Sequence, residues 1–273
     1  MTTVAPRTAV DALSTAEIDV VASDCVEEID EALAIVHDGF VEAGYLAPQP
    51  SGRRLHLSYL NPGTMFFLAR MEGVPVGCCA LIADGPFGLP SDRAFVEEND
   101  AMRAEGLVPH ECGSLAVSGT ARRHTRRIIM RVIAAMCRHA VDEYPEAPVP
   151  MAVAPENQRF YAAIVGAQEV AGPRPLYGAP ATLMRTGGRP LADHAAQRLT
   201  PLQRTMDDLI TETNPSWLLR RHSGRPLPDS WLMPLVREQG VADRLASQVE
   251  LLSRRHPRAL GVASDRLRAS IVA

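Results

Sequence analysis

Apolar and polar positions along this chain follow two periods, and the changes of period divide it into elements. Residues 64–71 (TMFFLARM) and 75–83 (PVGCCALIA) are apolar runs rich in strand formers, and Glu72, Gly73 and Val74 between them predict a hairpin. Ile29, Leu33, Val36, Phe40 and Val41 recur at helical spacing. Ser23 and Asp24 stand where a cap is needed, Glu27 and Glu28 suit a first turn, and Gly44 is placed to end the helix. Residues 112–118 (CGSLAVS) read as a strand feeding a helix over 123–143, whose apolar stripe includes Ile128, Val132, Met136 and Ala140. A polar helix over 95–105 precedes that strand.

Residues 149–154 predict a further strand, then Pro155 and a short helix that carries Asn157 and Tyr161 and stops at Gly166. Four residues apart, Asn157 and Tyr161 share one helix face, where a ligand could meet both. Two last strands are expected over 168–171 and 181–185. Alternating strands and helices predict an α/β fold with a mixed, partly parallel central sheet flanked by helices. After Gly187 and Gly188 the pattern is helical with proline breaks and without strand signals. Residues 1–190 are therefore expected to form one domain and 191–273 a helical C-terminal extension, with Leu235, Val241, Leu245, Val249 and Leu252 as its apolar contacts.

Composition narrows the function classes. A net charge of -4 argues against nonspecific nucleic-acid binding, and all 28 basic residues are Arg, so no lysine is available for catalysis. No apolar run reaches a membrane span, and the first residues lack the basic and apolar segments of a secretory leader, so a cytoplasmic location is expected. Five cysteines without CxxC spacing, mostly within apolar segments, predict small buried side chains rather than disulfides or metal ligands. Arg53, Arg54 and His56 form a basic patch in a loop over 48–62. The clusters Arg220-Arg221-His222 and Arg254-Arg255-His256 read as solvated faces.

Three stretches carry a resemblance to a known family: HDGFVEAGYL at 37–46, ECGSLAVS at 111–118 and VAPENQRFYAAIVGAQEVAGPRPLYGAPATLMR at 153–185. Together they resemble the GNAT acyltransferase superfamily, nearest to the long-chain N-acyl amino acid synthases and more distantly to the acyl-homoserine-lactone autoinducer synthases. The resemblance covers roughly residues 15–190. It implies that a donor's pantetheine arm lies between two splayed strands, here 115–118 and 151–154, bonding to one as an added strand would. Leu115, Ala116, Val117, Ser118 and Asn157 would then touch the donor.

That family's coenzyme A users usually place a glycine-rich turn before the next helix, cradling the pyrophosphate. Here residues 122–127 are RRHTRR, and Cβ atoms hinder a close backbone approach to a diphosphate. Arg122, Arg123, Arg126 and Arg127 would instead attract an acidic acyl carrier protein. The autoinducer synthases carry an Arg just ahead of the FVEAGY-like segment, where this chain has Val36 followed by His37.

The expected chemistry is attack of an amine on an acyl thioester. Tyr161 is the candidate acid for the departing thiolate, Glu111 the candidate base or amine-binding carboxylate, and backbone N–H groups near Ala116 and Val117 the candidates for holding the oxyanion. No tightly bound cofactor and no metal are expected, only an acyl thioester co-substrate, from carrier protein or coenzyme A, and a small-molecule amine. A coenzyme A-dependent N-acetyltransferase and a catalytically silent module that binds a thioester or partner are the alternative readings. Phe66, Phe67, Leu68, Cys78, Cys79, Leu81 and the apolar stripe of the helix over 123–143 could line an acyl tunnel or simply form core.

Overall fold

A computed structural model describes residues 17–187, 201–223 and 227–238. Strand β1 (Ile18–Ser23) leads into helix α1 (Val26–Glu42), and a loop with one 3-10 turn (Leu57–Leu60) reaches β2 (Met65–Met71). The expected hairpin joins β2 to β3 (Val74–Ala83) through a two-residue turn, Glu72-Gly73, with both residues at positive φ. Helix α2 (Asp92–Ala104) begins three residues before the sequence pattern suggests, and β4 (His110–Val117) follows. A 3-10 turn (Gly119–His124) opens into the long helix α3 (Thr125–Glu143).

Then come β5 (Pro148–Val153), a 3-10 turn (Pro155–Asn157), helix α4 (Gln158–Val165), and the paired strands β6 (Gln168–Leu176) and β7 (Ala179–Gly187). Gly166 takes the left-handed conformation, φ 62°, that stops α4, a position a Cβ would strain.

The strands form two sheets, ordered β4-β3-β2-β1-β8 and β5-β7-β6, where β8 is Leu218–Arg221. Every ladder is antiparallel except β1 with β8. The sheet is thus mixed as expected, but the parallel pairing comes from β8, in a stretch that shows no strand pattern. Four residues are too few to display a period, and the ladder that makes them a strand lies nearly 200 residues away in sequence. The purely helical extension is corrected at this point. Helices α5 (Pro201–Thr211) and α6 (Asp229–Glu238) flank β8 in the chain, and Leu235 is buried as expected. Val241, Leu245, Val249, Leu252 and the cluster at 254–256 lie outside the described residues.

Helix α3 covers one face of the five-stranded sheet and α1 the other. The α3 side buries Phe67, Cys79, Leu81, Cys112, Ile128 and Val132, and the α1 side buries Phe66, Leu68, Cys78, Ala80 and Ile82. The period-2 alternation of β2 and β3 therefore sends the proposed tunnel residues to opposite faces, and they do not share one wall. All five cysteines are free and four are buried. No helix among the described residues is long and apolar enough to cross a membrane.

Arg220 and Arg221 are not solely solvated: Arg220 pairs with Asp142 at 2.6 Å and Arg221 with the buried Glu28 at 2.6 Å. Beside them, the Trp217 indole receives the Arg131 guanidinium at 4.5 Å.

Candidate active site

Strands β4 and β5 lie against each other without forming a ladder, so the two sheets part along this line. What β4 offers there is set by a bulge. Cys78 pairs with Ala116 and Ala80 with Gly113, so Ser114 and Leu115 together oppose Cys79 alone. Ser114 stands at φ 55°, in the left-handed region, as the first residue of such a bulge does.

The extra residue reverses the parity of the strand. Cys112 and Val117, five apart, both face α3, whereas Ala116 faces α1. Amide direction changes with it. The Ser118 N–H donates to Val76 O at 2.9 Å, back toward β3, and amides alternate along a strand. The Val117 N–H is therefore turned away from β3, toward β5. The Ala116 N–H turns inward, where it meets the Cys78 sulfur. Of the two backbone donors expected from the sequence, the geometry leaves Val117 on the open side.

Gly77 on β3 makes this approach possible. A Cβ there would stand 2.5 Å from Ile128 Cγ2 and 3.2 Å from the Ala116 carbonyl oxygen, so glycine lets α3 and the bulged strand come together. Along β4 the residues on either side of the bulge are buried, while Gly113, Ser114 and Leu115 are half-buried and accessible.

Glu111, the candidate base or amine-binding carboxylate, is 3% exposed. Its Oε2 accepts from the Ser91 N–H at 2.9 Å and the Ser91 hydroxyl at 2.6 Å, and the buried Asn99 amide donates to that hydroxyl at 2.8 Å. Burial pushes the Glu111 carboxyl up to about 8, against the opposing pull of the Ser91 bonds. Oε1 makes no hydrogen bond among the described residues and lies beside Gly113, 3.9 Å from where a Cβ would be. One oxygen is thus held and the other is open, beside the bulge.

Tyr161 lies on the opposite, α3 side, packed against that core and edge-on to Phe160 at 5.3 Å. Its phenol is pushed well up by burial and by the neighbouring Cys112 and Cys79, so it stays protonated at neutral pH. Its hydroxyl has no hydrogen-bond partner among the described residues. Asn157 occupies the N-cap position of α4, but its side chain is exposed and caps nothing. Gln158 does the anchoring instead, donating to Thr182 Oγ1 of β7 at 2.6 Å.

Arg122, Arg123, Arg126 and Arg127 are all exposed around the start of α3, and Arg122 forms an ion pair with Glu42 of α1. That helix has no side-chain cap and no acid in its first turn. The preceding turn includes Gly119, so it is not free of glycine, although a Cβ there would meet nothing closer than 3.9 Å. His37 is a latch, with Nε2 accepting the Gln49 N–H at 3.0 Å and Nδ1 on Asp38 at 2.9 Å.

Sequence reasoning missed Ser91 and Asn99, which hold Glu111, and Ser114, which starts the bulge. It also read Arg54 as part of a surface patch. Arg53 does reach outward, forking onto Asp30, but Arg54 is buried. The alternating Leu55, Leu57 and Tyr59 beyond it, all buried, are the signal that this loop packs inward.

The family model described as the N-acyl amino acid synthase FeeM matches residues 31–187. Among solved structures, the chain is similar to FeeM from uncultured soil microbes, at 22% identity over 64% of this chain and 93% of that one, with a TM-score of 0.52. It is also similar to the CoA-dependent acyl-homoserine lactone synthase BjaI, at 14% identity over 81% and 99% with a TM-score of 0.54. The AHL synthase LasI matches at 11% over 62% and 89% with a TM-score of 0.50. No curated protein matches.

Proposed function

This chain belongs to the FeeM family of N-acyl amino acid synthases, and from that premise we propose that it moves a long acyl group from a carrier-protein thioester to the amine of an amino acid or a similar small molecule. The observation that carries this reading is Glu111, buried beside the bulge of β4 with one oxygen held and the other open. The thioester lies along the parting of β4 and β5, with its carbonyl oxygen on the Val117 N–H. That donor carries no reorganisation cost as negative charge develops on the oxygen.

Glu111 takes the first proton from the acceptor ammonium. Its value of about 8 lies well above that of an ordinary carboxylate, so it is a stronger base toward the acceptor ammonium and the transfer is less uphill. The amine nitrogen then attacks, a C–N bond forms and the C–S bond breaks. The second amine proton reaches sulfur through Tyr161. Thiols ionise near 8.5, so a thiolate leaves with little help, and Tyr161→Phe should lower kcat by only about tenfold. A variant with unchanged turnover would remove Tyr161 from the mechanism.

The exposed Arg123, Arg126 and Arg127 support an acidic carrier protein as the donor's bearer. Reversing charge with Arg126→Glu and Arg127→Glu together should raise KM for a long-chain acyl-carrier protein about tenfold. It should leave unchanged the KM for the acyl thioester of N-acetylcysteamine, which bears no phosphate. A lower KM for acyl-CoA than for acyl-carrier protein in the unaltered enzyme would decide for coenzyme A. The function itself is tested by incubating the protein with acyl-carrier protein and mixed amino acids. An amide product in the mass spectrum is expected, and a blank across acyl lengths would overturn the reading.

A further inference from the structure

Arg54 is an unpaired buried cation. It is 9% exposed, and its guanidinium lies 4.4 Å from the ring centre of Phe40 and 5.1 Å from that of Tyr177. Its Nη1 donates to the Tyr59 hydroxyl at 3.3 Å, and its backbone N–H is tied to Leu33 O of α1 at 3.2 Å. No carboxylate pairs with it among the described residues. Neighbouring cations are treated differently: Arg53 has Asp30, and Arg103 has Asp84 and Asp92. A guanidinium cannot shed its proton, so a buried one without an anion is costly unless a ligand supplies that anion.

The position of this cation connects it to the reacting centre. The Tyr59 hydroxyl is bonded in turn to Ser114 Oγ, on the bulge itself. The Tyr177 hydroxyl meets His56 Nε2 at 3.0 Å and donates to Pro90 O at 3.2 Å, one residue before the Ser91 that holds Glu111. Both phenols lie within electrostatic range of Arg54 and of Glu111. A fixed positive group and a carboxylate with one open oxygen thus stand around the same two rings.

We propose that the acceptor site binds a free α-amino acid as its zwitterion, with Arg54 taking the carboxylate and Glu111 the ammonium. The inference rests on the acyltransferase reading and goes beyond it by assigning to Arg54 the recognition of the acceptor's carboxylate. Arg54 is a specificity residue in this scheme: it orients the amine toward Glu111 and the thioester, and takes no proton.

The test compares two acceptor pools, the proteinogenic L-amino acids and the same set as α-carboxamides, with one acyl donor. The unaltered enzyme should favour the acids in kcat/KM on the order of 50-fold, the usual size of a charge-assisted bond. Arg54→Gln should abolish that preference by raising KM for the acids alone, and Arg54→Lys, which keeps the charge and loses the planar fork, should fall between. If Arg54 only packs against Phe40 and Tyr177, the variants will lower both pools alike and the ratio will not move, which overturns the inference. Equal use of both pools by the unaltered enzyme overturns it too, while leaving the acyltransferase reading intact.

Calorimetric titration of the amino-acid pool into the protein, with no donor present, separates the two claims. Binding lost in Arg54→Gln supports the zwitterion site even where turnover is absent. No binding by the unaltered protein overturns it even where amines are acylated. Thermal melts identify a variant that has failed to fold, and Arg54→Lys then carries the comparison.

Discussion

Glu111→Gln should lower kcat/KM by two to four orders of magnitude, the usual contribution of a positioned base. The amide is nearly isosteric and its oxygen can still accept both Ser91 bonds, so the fold should survive. In the unaltered enzyme the base must be ionised, so kcat/KM should rise with pH through an inflection near 8 and fall away as pH drops below it. That limb should be absent from the variant. Stability moves the other way. A carboxyl whose folded value is raised favours the folded state fully below its ordinary value of 4.5, and this contribution is lost as pH rises through about 8. The melting temperature of Glu111→Gln relative to the unaltered protein should therefore be higher at pH 9 than at pH 4. A pH–rate profile with no inflection between pH 7 and 9 would exclude Glu111 as the base.

The second large effect is expected at Ser114. Val in the left-handed region is strained by about 1–3 kcal/mol, and the strand can relieve that strain only by losing its bulge. Parity would then revert and the Val117 N–H would turn toward β3, removing the donor at the carbonyl oxygen. Ser114→Val should lower kcat about 100- to 1000-fold, the cost of one oxyanion donor. Ser114→Gly, which accepts positive φ freely and loses only the bond to Tyr59, should keep most of the activity. If the two variants behave alike, the backbone geometry at Ser114 is not what matters.

Most of the fold was legible because its elements are long and periodic. The stripe of α3 and the β2–β3 hairpin declare themselves in the order of apolar residues, and so does the stop at Gly166. The family resemblance implied a bulged or splayed strand, but the bulge's position was not legible, since 112–118 has no alternation whose break could be seen. Glu111 was found as a residue but not as an environment. What buries it is Ser91, 20 positions earlier, braced by Asn99, and neither belongs to any motif. Arg54 was misplaced for the converse reason: two adjacent arginines look alike in a sequence, and only packing sends one outward to Asp30 and the other inward to Phe40.

The parallel ladder between β1 and β8 has a consequence for handling this chain. Without Leu218–Arg221, β1 would present an open row of backbone donors and acceptors from Val20 to Ser23, an invitation to pair with another molecule. Residues 218–221 shield that margin, and their two arginines put charge along it. A truncation at 190, where the sequence pattern changes, should expose this edge and raise aggregation, which light scattering would report.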